Sequence, residues 1–106
     1  MANSGTLDLK RGDSTLRGRL QDGELEGPLR IAERDRAQAS LAYQGGELHG
    51  SSSLFHPNGK VSALMPYVCG RLHGEARFYA ADGALQRKVM YRDGLMHGEA
   101  CTYFPD

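Results

Sequence analysis

Tryptophan is absent, and neither sign of charge is in excess: thirteen Lys and Arg meet thirteen Asp and Glu. The balance also holds regionally, with seven of each sign in residues 1–42 and six of each in residues 43–106. That excludes the basic stripe of a nucleic-acid binder and leaves no tail or domain set apart by charge. No apolar run is long enough for a signal peptide or a bilayer span, so the expected compartment is the cytoplasm. Cysteine is scarce. Cys69 and Cys101 fall at non-equivalent places in the pattern described next, whereas a disulfide frame would keep them in register. Both therefore read as free thiols.

Glycine is plentiful, at 14 residues, and it is periodic. Aligned on Tyr43, Tyr67 and Tyr91, the chain places Gly at +3 (Gly46, Gly70, Gly94), His-Gly at +6 and +7, and an aromatic at +12 (Phe55, Tyr79, Tyr103). Two copies add Gly59 and Gly83 at +16. The repeat lengths are equal, with no gap. An earlier copy, "LQDGELEG" at residues 20–27, has Leu20 for Tyr and Glu26 for His. The chain is expected to be a single repeat domain over 1–106, with 1–42 degenerate and 43–66, 67–90 and 91–106 regular.

The glycines close turns. In "HPNG", Pro57 and Asn58 suit the central positions of a type I turn, and Gly59 supplies the positive φ that follows. That is a three-residue hairpin loop with a bulge. Extended to every "xxG" tripeptide, it predicts a meander of eight or nine strands: an all-β fold of repeated antiparallel hairpins in one elongated, twisted sheet. Residues 30–42 are the stretch where a helical turn is conceivable. The loop also sets register, predicting Tyr79 opposite Leu85, Arg77 opposite Arg87, Glu75 opposite Val89 and His73 opposite Tyr91. One face then carries Glu75, Arg77, Tyr79, Arg87, Val89, Tyr91, Glu99 and Tyr103, and the other carries small and flexible side chains. Strand segments alternate in length by two residues. Pairing must slip by about 7 Å per repeat unless a bulge at His-Gly absorbs the difference.

Catalytic and metal readings weaken on this geometry. Equivalent residues in successive repeats lie two strands apart, roughly 10 Å, so His49, His73 and His97 cannot share one zinc ion. Their expected role is a turn-side hydrogen bond or stacking beside the neighbouring strand. Glu75 and Glu99 are equally separated, and Cys101 lies about 13 Å along its strand from His97. "GDS" at 12–14 and "HGSSS" at 49–53 lack the strand–turn–helix context of a nucleophile elbow. No phosphate or dinucleotide loop is present. No catalytic residue, cofactor or metal is expected.

The unit "YVCGRLHGEARFYAADG" resembles the bacterial variant of the MORN repeat, well over residues 43–106 and weakly over 20–42. The resemblance implies stacked β-hairpins and carries no catalytic residues. Many bacterial proteins of that kind resemble antitoxin or immunity components that silence a cognate toxin; others look like scaffolds or contact phospholipid head groups. The expected function is therefore non-enzymatic binding of another protein, a toxin or secreted effector. A phospholipid-apposed scaffold is the alternative, which the neutral charge disfavours. Phe55, Glu75, Arg77, Tyr79, Arg87, Glu99 and Tyr103 are the expected contact residues. Gly46, Gly59, Gly70, Gly83 and Gly94 are expected to be structural turn residues. The aromatic column Phe55, Tyr79, Tyr103 reads either as the apolar spine or as the contact surface. Edge strands suit homodimerisation or addition to a partner's sheet, with Pro105 placed to guard the C-terminal edge.

Overall fold

A computed structural model describes residues 4–104 as one open antiparallel sheet. Nine strands form its path: β1 (Ser4–Arg11), β2 (Ser14–Gln21), β4 (Gly27–Glu33), β5 (Arg36–Gln44), β7 (Gly50–Phe55), β8 (Val61–Val68), β10 (Gly74–Tyr79), β11 (Leu85–Arg92) and β12 (Leu95–Thr102). Three short strands, β3 (Glu24–Leu25), β6 (Glu47–Leu48) and β9 (Arg71–Leu72), pair with β2, β5 and β8. The extents are 54 × 32 × 15 Å, the thickness of a single sheet with its side chains. Residues 30–42 hold no helical turn: β4 and β5 meet at Arg34–Asp35, both with positive φ. Pro105 lies outside the described residues.

Two kinds of turn occur, where the sequence suggested one, and they alternate only from Gly45-Gly46 onward. His56 and Lys60 close Pro57-Asn58-Gly59 as a three-residue loop, through Gly59 N to His56 O at 2.9 Å and His56 N to Lys60 O at 2.8 Å. Ala81-Asp82-Gly83 does the same. The other glycine tripeptides close on two residues. Gln21 pairs Glu24, Gln44 pairs Glu47 and Val68 pairs Arg71, leaving Asp22-Gly23, Gly45-Gly46 and Cys69-Gly70 as the turns. Asp93-Gly94 follows suit between Arg92 and Leu95. Both residues of each turn have positive φ, about 50° then 80°, for example 48° at Cys69 and 83° at Gly70. That is the type I′ geometry, whose twist matches the strands it joins. Pro57 suits the longer loop but is not required for it, since Ala81-Asp82-Gly83 forms the same loop without proline.

The length mismatch is absorbed at His-Gly. Tyr67 pairs Leu72, whereas Leu64 pairs Arg77, a shift of two residues in the sum of partner numbers. The same shift separates Tyr43↔Leu48 from Ala39↔Leu54, and Tyr91↔Met96 from Val89↔Ala100. Gly50, Gly74 and Gly98 supply the positive φ at these bulges.

A second, one-residue bulge changes the faces. Tyr79 pairs Leu85 as expected, but Phe78 then pairs Arg87, so Gln86 is the extra residue. The expected pairs Arg77–Arg87, Glu75–Val89 and His73–Tyr91 are replaced by Arg77↔Lys88, Glu75↔Met90, Ala76↔Val89 and Gly74↔Tyr91. Arg87, Val89 and Tyr91 therefore lie opposite the face that holds Glu75, Arg77 and Tyr79. A one-residue slip moves every side chain of a strand to the other side.

One cross-strand row runs through the core face: Leu9, Leu16, Ile31, Ala39, Leu54, Ala63, Phe78, Arg87 and Thr102, each paired with the next. Beside it lie the buried residues Leu29, Ser52, Ala76 and Val89. Small side chains carry the core because a single layer has no second sheet to fill; Ala76 is 0 % and Val89 2 % exposed. The buried spine is thus formed by Leu29, Ala39, Ser52, Ala63, Ala76 and Val89 on this face, and the column of Phe55, Tyr79 and Tyr103 lies on the other face.

Candidate partner-binding face

The outer face carries a second continuous row: Asp8, Arg17, Arg30, Ser40, Ser53, Leu64, Arg77, Lys88 and Cys101, each opposite the next. Alternation along each strand adds Phe55, Glu75, Tyr79, Glu99 and Tyr103. Phe55, Tyr79 and Glu75 are half-buried; Arg77, Glu99 and Tyr103 are exposed. Six of the seven expected contact residues share this face. Arg87 does not, because of the bulge at Gln86, and Lys88 takes its place. The side chain that sequence reasoning missed was one position away, and only the bulge decides between them.

Glu75 links the charges of the C-terminal half. Its Oε1 lies 3.4 Å from Arg77 Nε and 3.5 Å from Lys88 Nζ. Burial alone would raise the Glu75 pKa, but hydrogen bonding and charge from Arg77, then Lys88, outweigh it and hold the carboxyl below its usual range. Arg77 is held above its ordinary value by hydrogen bonding to Tyr79, then by Glu75. Lys88 is raised by Tyr103 first and Glu75 second, and its Nζ stands 5.9 Å from the Tyr103 ring centroid.

The N-terminal half of the face holds a groove of about 860 Å³, lined by Arg17, Arg19, Pro28, Arg30, Ser40 and Phe55 among others. A smaller hollow of about 510 Å³ joins Val61, Leu64 and Tyr79 to the loop glycines Gly59 and Gly83. Sequence reasoning missed these arginines; the alternation of Arg17 and Arg19 was the one signal available, and no spacing rule ties them to Arg30.

The histidines work at the seams between repeats. His49 Nδ1 accepts the amide of Cys69 at 3.3 Å, and His73 Nδ1 accepts that of Asp93 at 3.4 Å. Glu26, which replaces His in the degenerate copy, accepts the amide of Gly45 at 2.7 Å. The second turn residue also docks on the preceding repeat, with Gly46, Gly70 and Gly94 donating to the carbonyls of Leu25, Leu48 and Leu72 at 2.8–3.0 Å. The three-residue loops are tied likewise: His56 Nε2 meets Tyr79 O at 2.8 Å, and Asn58 Nδ2 donates to Ala81 O at 2.7 Å. Among the described residues no three of His, Cys, Asp and Glu gather as a metal would need. Cys69 and Cys101 are free and exposed. No described helix is long and apolar enough to cross a membrane.

Fold and site together define a β-hairpin repeat array, a general module that displays one sheet face. Residues 48–68 and 72–93 match the family model described as MORN repeat variant, so over these two segments the chain is similar to that repeat. No curated protein matches the sequence.

Proposed function

We propose that the chain is a non-enzymatic protein-binding module acting in the cytoplasm, and that its partner is a toxin or secreted effector which it neutralises by occlusion. The observation that carries this reading is the division of labour between faces. Ala39, Ala63, Ala76 and Val89 are buried on one face, and the opposite face carries the half-buried Phe55 and Tyr79, the exposed Tyr103 and the Glu75–Arg77–Lys88 cluster. Tyr and Arg anchors on a rigid surface contribute most to protein contacts. Repeat arrays present such extended surfaces, and the MORN repeat is a non-catalytic module. The immunity role in particular rests on the resemblance of the repeat to bacterial antitoxin-like members.

The test is purification of the chain from its native cell, identification of what accompanies it, and titration of that protein with and without an assay of its activity. A tight one-to-one complex that abolishes the partner's activity is expected. Sedimentation with anionic vesicles at physiological salt, with no protein partner and no inhibition, overturns the reading.

A further inference from the structure

Two like-charge pairs sit on the outer row, and only one has an acid that reaches both of its members. Arg77 lies directly opposite Lys88, and Glu75 stands between them, within 3.5 Å of both. Arg17 lies directly opposite Arg30. Arg17 reaches Asp8 at 3.6 Å, between two exposed side chains; neither Arg30 nor Arg19 has an ion pair or hydrogen bond among the described residues. Directly opposed like charges destabilise a sheet.

Glu26 and Gly27 occupy the places of His73 and Gly74, with the same roles at the seam and the bulge. Counting on, Pro28 holds the place of Glu75, and Arg30 that of Arg77. The strand partner of Arg30 that corresponds to Lys88 is Ser40, and Arg17 stands where the third repeat has Leu64, so the opposed pair Arg17–Arg30 is peculiar to the first repeat. No acid flanks it at position 28, and a groove lies above, with Arg17, Arg19 and Arg30 on its walls and Asp35 as its one acidic lining residue. Arg19 is steered there by Gly27: a Cβ at that glycine would come within 3.2 Å of Arg19 Nη2.

We infer that this groove takes an acidic segment of the partner protein, with a carboxylate seated over Pro28 beside Arg17, Arg19 and Arg30. This deepens the binding-module reading and rests on it. The guanidinium forks suit carboxylates bidentately. Phe55, also in the lining, offers an apolar neighbour for such a segment.

The probe is a fluorescent deca-glutamate peptide at low ionic strength, read by anisotropy, with vesicles containing phosphatidylserine as the lipid arm. Wild-type chain binds the peptide, and salt weakens it. R17Q/R30Q, and separately P28E, which supplies the acid in cis, each weaken binding roughly tenfold. R92Q, far from the groove, leaves it unchanged. Urea unfolding of P28E should shift to equal or higher denaturant, so that lost binding is not lost folding. Peptide binding that is absent, that is equal in wild type and P28E, or that is surpassed by the vesicles overturns the inference. A protein partner that binds R17Q/R30Q as tightly as wild type overturns it too, while sparing the module reading.

Discussion

Glu26 Oε2 accepts the Gly45 amide at 2.7 Å, in the place where His49 meets Cys69 and His73 meets Asp93. Two chemically different side chains thus perform one task, holding the first amide of the next type I′ turn. Glu26→Ala should cost about 0.5–1.5 kcal/mol in urea unfolding, and Glu26→His should recover much of it. His73→Ala should cost less, because its bond is longer, at 3.4 Å.

The type I′ turns require positive φ at both central residues, and Cys69 adopts 48° without the freedom of glycine. Cys69→Asn should therefore raise stability by about 0.5–1 kcal/mol, since Asn tolerates this region and Cys does not. Gly70→Ala, at φ 83°, should lower it by about 1–2 kcal/mol. Gly5→Ala should be close to neutral, since Gly5 has no positive φ and nothing within 4 Å of the added methyl. Thermal midpoints of the three variants check the order.

Ala76 and Val89 face each other across β10 and β11 and are almost fully buried. Val89→Ala should cost about 1.5–3 kcal/mol, two methyl groups plus an unfilled space. Ala76→Leu should cost about 1–3 kcal/mol by overpacking. An Ala76→Leu protein as stable as wild type would show that this row is looser than described.

Glu75 sets a pH dependence with a definite sign. Its pKa is lower in the folded chain, so the stability it contributes is present above the ordinary carboxylate pKa and is lost as pH falls through the folded value. Wild type should exceed Glu75→Gln in urea midpoint at neutral pH. The gap should close below the ordinary carboxylate range. A gap that persists into strong acid would mean that the Gln change acts by packing, not by charge.

The bulge at Gln86 separates two neighbouring side chains by face, and binding should follow. Tyr79→Ala and Lys88→Ala should each weaken the partner complex by about 1–2 kcal/mol in titration calorimetry. Arg87→Ala, on the core face, should leave it within about 0.5 kcal/mol.

The period, the turn glycines and the all-β hairpin architecture were legible because each rests on local backbone chemistry. Gly59 after Pro57-Asn58 can only close the loop it closes, and the alternating strand lengths demanded relief near His-Gly. What stayed hidden depended on parity. Val68-Cys69-Gly70 and Ala81-Asp82-Gly83 look alike as tripeptides, and neither holds a proline, yet the first closes on two residues and the second on three. Gln86 gives no sign of being the odd residue, so Arg87 and Lys88 exchanged places. Arg30 joined Arg17 only once β2 and β4 were seen to pair, a relation no single strand encodes.

The two-residue correction at each His-Gly has one more effect. Because every module returns the chain to the same starting phase, error never accumulates along the ribbon. Copying or deleting a whole module would slide everything beyond it along the long axis while keeping inside and outside unchanged. Such a protein can vary the reach of its display surface by gene duplication alone, without redesigning a single residue of its interior.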